Sequence, residues 1–300
     1  MFSAKPIRIL FSLLVLLTAT RSVDAAVSIA AIGKESYFHQ TGPNPGDFSP
    51  DPFDPINDSQ PYSVFASVQV DNQADVDGAW VRLVSGDGGI PIPLEWEADA
   101  SSYEVYQGFA SKAALDSGFE DGDYGITFQI PGSSTVYKLL SVREEFPNTP
   151  FIENWSELQN IQVGEDMTVR WNAMSGGAAD DIITVTIVEP NGWNAVFETP
   201  FHYLEPNGLD GTARSVTVPA GTLAAGRDYE LLVSFDNIET VDNGVTWPGV
   251  LFGSTHFAET HATIKTGAVF VDPVTVGAVG REVYYVQSGR GAPALALDDT

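Results

Sequence analysis

The chain has 300 residues, no cysteine, and 40 Asp and Glu against 14 Lys and Arg, for a formal charge of −26. Without cysteine there is no disulfide framework and no thiolate metal site. So acidic a surface repels phosphate backbones and anionic lipid, which removes nucleic acid and peripheral membrane attachment from the expected partners.

The N-terminus carries Lys5 and Arg8, the apolar run from Ile9 to Leu17, and small residues at Val23-Asp-Ala25. These are the parts of a secretory signal peptide, so residues 1–25 are expected to be removed and the mature chain to be secreted, extracellular or periplasmic. The apolar run is too short for a comfortable span, and no later segment approaches one, so no membrane span is expected in the mature chain. Removing Lys5, Arg8, Arg21 and Asp24 makes the charge more negative still, which serves solubility and leaves divalent-cation binding as the sharper reading. The remaining length exceeds one sandwich of about 100 residues and favours two.

In chain order, Ala26 to Ile32 reads as a first short strand. The segment from Thr41 to Pro61 interleaves six prolines with four aspartates and reads as a long surface loop, because proline cannot donate to a ladder. Tyr62 to Val70 alternates with Tyr62, Val64, Ala66, Val68 and Val70 on one face. Residues 79–84, 90–96 and 103–109 follow as strands, with Trp80 and Trp96 assigned to the first core. Ser111 caps a short helix over 111–117. Phe119, Gly122 and Tyr124 then lead into an alternating strand through Ile130, and Tyr137 to Val142 closes a first domain over 26–145. Two prolines make 146–150 the expected linker, and a cut near Asn148 is expected to give two independently folding halves.

The second domain, 151–267, contains strands at 167–171, 183–187, 195–199, 215–218 and 252–265. Its most informative stretch is Leu223 to Phe235, where Gly226 supplies a turn and Tyr229, Leu231, Val233 and Phe235 alternate toward a core. Tyr229 is placed to bury its ring and hydrogen-bond the turn backbone. The pattern Leu223, Gly226, Tyr229 resembles the fibronectin type III pattern, and Trp171 resembles that family's buried tryptophan on the second strand. The resemblance covers about 150–267 and implies an immunoglobulin-like sandwich. The surplus length over one such module falls at 200–211 and 237–253, both expected to be loops. Tyr124 repeats the tyrosine 105 residues earlier, about one domain, with Phe119 five rather than six residues before it. The fold class is therefore all-β, two tandem immunoglobulin or fibronectin type III-like sandwiches, followed by a loosely ordered tail over 268–300.

No constellation amounts to a catalytic signature. There is no Gly-x-Ser-x-Gly elbow and no phosphate-cradling loop. His256 and His261 flank Glu259 with the wrong spacing for a zinc motif and read as ordinary polar residues of an edge strand, while His39 and His202 fall in loops. Asp71, Asp75 and Asp77 beside Gly78 offer oxygen ligands of the kind calcium takes, as do Glu120, Asp121 and Asp123, although solvated acids in the turns between strands are the plainer reading of both groups. Trp193, Trp247 and Trp155 fall in turns, where an indole either stacks on a sugar or caps a sandwich core. The function expected is that of a non-catalytic structural or binding module at a cell surface or matrix, with an extracellular protein or glycan as partner and no cofactor beyond calcium. The alternatives are a carbohydrate-binding protein using those tryptophans and an extracellular hydrolase using acidic residues.

Overall fold

The computed structural model describes residues 27–51, 60–84, 89–133, 135–143, 146–190, 194–201, 205–243, 247 and 249–267. The signal peptide, Trp193, His202 and the C-terminal tail lie outside the described residues.

The first sandwich is built from β1 (Val27–Gln40), β2 (Phe48–Pro50), β3 (Tyr62–Val70), β4 (Gly78–Leu83), β5 (Ile92–Pro93), β6 (Glu95–Glu97), β7 (Ser102–Phe109), α1 (Lys112–Gly118), β8 (Gly122–Gln129) and β9 (Thr135–Val142). One layer runs β1-β3-β7-β6 and the facing layer β5-β4-β8-β9. The expected strand over 90–96 divides between the two layers. Pro91 and Pro93 deny it a continuous ladder, so Ile92–Pro93 pairs with β4, buried Leu94 marks the crossing, and Glu95–Glu97 pairs with β7. Ser111 Oγ accepts the Ala114 N–H at 3.2 Å, the cap that its sequence position required.

The second sandwich comprises β10 (Met167–Arg170), β11 (Ile182–Val188), β12 (Ala195–Glu198), β13 (Leu209–Asp210), β14 (Ser215–Val218), β15 (Asp228–Asn243) and β16 (Leu251–Lys265). Ile152 bridges to Trp171, β10 pairs with β14, and the facing layer runs β12-β11-β15-β16. Trp171 is fully buried and its indole N–H donates to the Ala213 carbonyl at 3.0 Å.

The two sandwiches are not separate bodies. Among the described residues, ten strands form one sheet, because β1 pairs in parallel with β16 from Ile29↔Leu251 to His39↔His261. The first strand of one sandwich thus lies beside the last strand of the other. Three strands of 14 to 16 residues make this possible, each about 50 Å long at 3.3 Å per residue and long enough to pass under both cores. On β16, Phe252 enters the first core while Ala262 and Ile264, on the same face, enter the second. The facing layers of both sandwiches therefore sit side by side on one face of a shared sheet.

This arrangement corrects three expectations. Much of the segment over 237–253 is strand rather than loop: β15 continues to Asn243 and β16 starts at Leu251, across a bulge at Ile238/Thr240. Residues 146–150 do not behave as a free linker either. Asn148 donates its N–H to Ser175 Oγ at 2.9 Å, and the Pro150 carbonyl accepts from buried Thr260 Oγ1 at 2.6 Å. The first strand, expected to end at Ile32, runs to Gln40, because its polar second half is paired on both sides.

Candidate functional site

The two tyrosines singled out by the sequence make the same corner in opposite senses. Tyr229 Oη accepts the Ala224 N–H at 2.9 Å, five residues upstream, whereas Tyr124 Oη donates to the Glu120 carbonyl at 2.7 Å, four residues upstream. The shorter turn before Tyr124 presents a carbonyl where the longer one presents an N–H. Gly226 adopts φ +68°, a left-handed conformation that costs glycine nothing, and Leu223 is buried in the second core. Burial raises the Tyr124 phenol well above its ordinary range, with Asp121 and Glu120 adding to the effect.

The residues proposed as ligands do not assemble. Trp155 is half-buried against the second core and Trp247 half-buried against the first, so they share no surface. Asp75 turns inward to accept the Asn72 N–H at 2.8 Å and close a short 3-10 turn, while Asp71 and Asp77 are exposed. Among the described residues no three His, Asp or Glu side chains are placed to hold a metal ion. Asp121 and Asp123 meet protein cations instead, Lys34 Nζ at 2.6 Å and the Arg143 guanidinium at 2.6 and 2.9 Å.

The histidines are not edge residues. β16 is flanked by β15 and β1, and His256 and His261 project from its opposite faces, both buried. His39 lies on β1, directly across from His261, rather than in a loop. His261 Nε2 is 2.6 Å from Glu259 Oε1 and its Nδ1 is 3.0 Å from Asp51 Oδ2. Desolvation opposes its charge, but hydrogen bonds and Coulomb attraction from Asp51 and Glu259 prevail and push its pKa up to about 9. His256 goes the other way. Desolvation dominates, only partly offset by Glu239, and holds its pKa down at about 4, so it is neutral at neutral pH.

His256 also lines a pocket, the candidate site among the described residues. The cavity has a volume of about 290 Å³ and is walled by Lys34, Lys112, Asp116, Asp121, Arg143, Phe146 and His256. Its walls come from β1, α1, the turn before β8, the end of β9, the expected linker and β16, so it exists only where the two sandwiches meet. Lys34 is buried, with 1% of its side chain exposed, and its ammonium reaches Asp121 at 2.6 Å and Asp116 at 3.3 Å. Lys112 reaches the other Asp116 oxygen at 2.7 Å and lies 5.9 Å over the Phe146 ring. Desolvation pushes Asp116 up, but hydrogen bonds and charge from Lys112 and Lys34 outweigh it and hold the carboxyl below its usual range. Phe146 meets His256 edge-on at 5.6 Å. Sequence reasoning missed this pocket because its residues are scattered from 34 to 256 with no local motif.

A second surface was also misplaced by the sequence. Ala79 and Val81 face the core, which turns Trp80 to the outer face of β4, half-buried. There it stands in a row with Thr127 and Tyr137 across β8 and β9. Tyr137, 46% exposed, lies across Gly125, where an added Cβ would sit 2.6 Å from its ring. Trp96 does pack against the first core.

No protein-family model and no curated protein matches the chain. Among solved structures it is similar to the FN1–FN3 domains of chicken CNTN1, at 8% identity and TM-score 0.27, over 79% of this chain and 66% of that one. The complex of Dpr11 IG1 with DIP-gamma IG1 and IG2 matches at 11% identity and TM-score 0.20, over 79% and 96%. A 1.5-MDa bacterial ice-binding adhesin matches at 14% identity and TM-score 0.23, over 80% and 65%. The chain thus spans just under two thirds of the CNTN1 and adhesin chains. Both units are all-β sandwiches, each with a tyrosine corner, and the second also buries Trp171, features that immunoglobulin-like sandwiches share.

Proposed function

We propose that the mature chain, beginning at Ala26, is an exported, non-catalytic structural and binding module that acts at a cell surface or in an extracellular matrix on a protein or glycan partner. The observation that supports this reading is the shared ten-stranded sheet. Backbone ladders through β1, β15 and β16 make one stiff unit of two sandwiches, suited to holding a binding surface at a fixed distance and angle. The carboxyls that burial pushes up, Asp181, Glu230 and Asp236, are all buried and none lines the pocket, which favours a structural role over acid catalysis. The test is to express the full chain in its producing cell, fractionate, and determine the N-terminus of the protein recovered. Surface or matrix recovery of a chain starting at Ala26 is expected; an intact chain confined to the cytosol would overturn the reading.

A second reading, a dedicated carbohydrate-binding protein, is favoured by the row Trp80, Thr127, Tyr137 on the outer face of the smaller sheet. Two aromatic side chains two strands apart, about 10 Å, offer stacking platforms that Trp155 and Trp247, each half-buried against a separate core, do not. Binding to a neutral glycan array that disappears with Trp80→Ala and Tyr137→Ala, but survives Trp247→Ala, would establish it.

A further inference from the structure

The pocket between the sandwiches has unmet hydrogen-bonding capacity of a definite kind. The Lys34 and Lys112 ammoniums carry six N–H donors, of which Asp116 and Asp121 account for three. The Lys34 ammonium is buried, so a remaining donor there is costly unless something in the cavity accepts from it. His256, 1% exposed, has an Nδ1 with no hydrogen-bond partner, its nearest acid being Glu239 at 3.9 Å. That distance is too long for a hydrogen bond. Beside these polar groups stands one apolar wall, the Phe146 ring.

We propose that this cavity binds a single acidic sugar residue of the hexuronate class. Its carboxylate accepts from Lys34 and Lys112, and its hydroxyls donate to Asp116 and Asp121 and engage His256. Its C–H face packs on Phe146, which Lys112 already flanks. Each part of such a ligand answers one feature of the wall. A bare inorganic anion would use the ammoniums and leave Phe146, while a neutral sugar would leave the ammonium donors unmet. The volume, about 290 Å³, lies at the small end of the ~300–1,000 Å³ usual for small-molecule sites and suits one ring rather than a chain.

The test is a titration of the mature protein with D-glucuronate and D-galacturonate at constant ionic strength, followed by backbone amide NMR shifts, with D-glucose, acetate and sulfate as controls. Saturable shifts at residues 34, 112, 143 and 256 with a uronate, absent or at least about tenfold weaker with each control, are the expected result. Lys112→Gln, at a side chain that is 48% exposed, should weaken uronate binding by about tenfold or more while leaving the melting temperature of the free protein nearly unchanged. The proposal is overturned by silence with both uronates up to about 20 mM. It is equally overturned by glucose binding as well as glucuronate, by sulfate or acetate binding as well as either, or by undiminished uronate binding in Lys112→Gln.

Discussion

The Phe252 ring stacks on Phe128 across what the sequence divides into two domains, with centroids 6.4 Å apart and planes within 18°. Phe252 belongs to the last strand of the second sandwich, yet both rings are fully buried in the first core. Removing the ring should cost about 3–5 kcal/mol. Phe252→Ala should lower the urea midpoint of a single transition seen alike by fluorescence and circular dichroism. Separately expressed 26–147 and 148–267 should each fail to fold, because each loses a central strand of the shared sheet. Two stable halves, or two separate transitions in the whole chain, would contradict the continuous sheet.

Gln40 fastens the end of β1 to the start of the second sandwich by taking both backbone groups of Ile152. Its Nε2 donates to the Ile152 carbonyl at 3.1 Å and its Oε1 accepts the Ile152 N–H at 2.8 Å. Both partners are buried, and Gln40→Ala would leave both groups unsatisfied, at about 1–3 kcal/mol each. Equilibrium denaturation should show a loss above about 2 kcal/mol, whereas a surface change such as Gln162→Ala should stay within about 0.5 kcal/mol.

At Gly33 the paired backbones of β1 and β16 approach closely. A Cβ there would lie 2.6 Å from the Thr255 carbonyl oxygen and 2.5 Å from the Phe65 ring. The ring can turn, but the carbonyl belongs to the paired β16 backbone. Gly33→Ala should therefore destabilise by about 1–3 kcal/mol, the usual cost of overpacking, even though alanine is the better strand residue. A neutral or stabilising effect in thermal unfolding would mean that β1 and β16 are not held at this distance.

The two tyrosine corners should respond unequally to loss of the hydroxyl. Tyr229→Phe leaves the Ala224 N–H without its acceptor, while Tyr124→Phe removes a donor from the Glu120 carbonyl, next to exposed turn residues. Ala224 and Glu120 both lie in exposed turns, but an orphaned N–H has no second way to pair whereas a carbonyl keeps another lone pair, so about 1–2 kcal/mol is expected for Tyr229→Phe and less for Tyr124→Phe. Paired denaturation curves decide the order.

Stability should fall as pH rises above neutrality. His261 has a folded pKa of about 9, above its unfolded value of about 6.5, so its contribution is complete below 6.5 and lost as pH climbs toward 9. Asp236, pushed up to about 7 by burial, with Thr255 opposing and Asp181 reinforcing, also loses its contribution as pH rises, between about 4 and 7. His256, held near 4, has the opposite slope, since the unfolded chain takes up its proton first as pH falls below about 6.5. On the acidic side Asp236 and His256 oppose each other, with buried Asp181 and Glu230 pulling as Asp236 does and His39 as His256 does, while the alkaline limb belongs chiefly to His261. Denaturation midpoints between pH 6.5 and 9 should decline in the wild type and flatten in His261→Gln.

Period-two recurrence of apolar side chains made β3, β8, β11 and β15 legible as strands, although β3, β11 and β15 prove to be buried on both faces over most of their length. Turn chemistry made Gly226 and both corner tyrosines legible, since a left-handed backbone and a phenol at a strand foot are local demands. Trp80 went to the wrong face because an aromatic residue is apolar whichever way it points; only its neighbours Ala79 and Val81, both buried, decide.

What the sequence determined by itself was the all-β class, the order of the two sandwiches and much of each core, all consequences of local pattern, though not the place of Trp80 or Phe252. What only the tertiary structure decided was the pairing of the first strand with the last. β1 and β16 are more than 200 residues apart, and their polar stretches, Lys34 to Gln40 and Ser254 to His261, look like surface or loop until each is placed beside the other. Hydrogen bonding between strands is indifferent to sequence separation, so no local pattern announces it. The pocket of Lys34, Lys112, Asp116, Phe146 and His256 follows from that pairing, and for the same reason it could not be read along the chain.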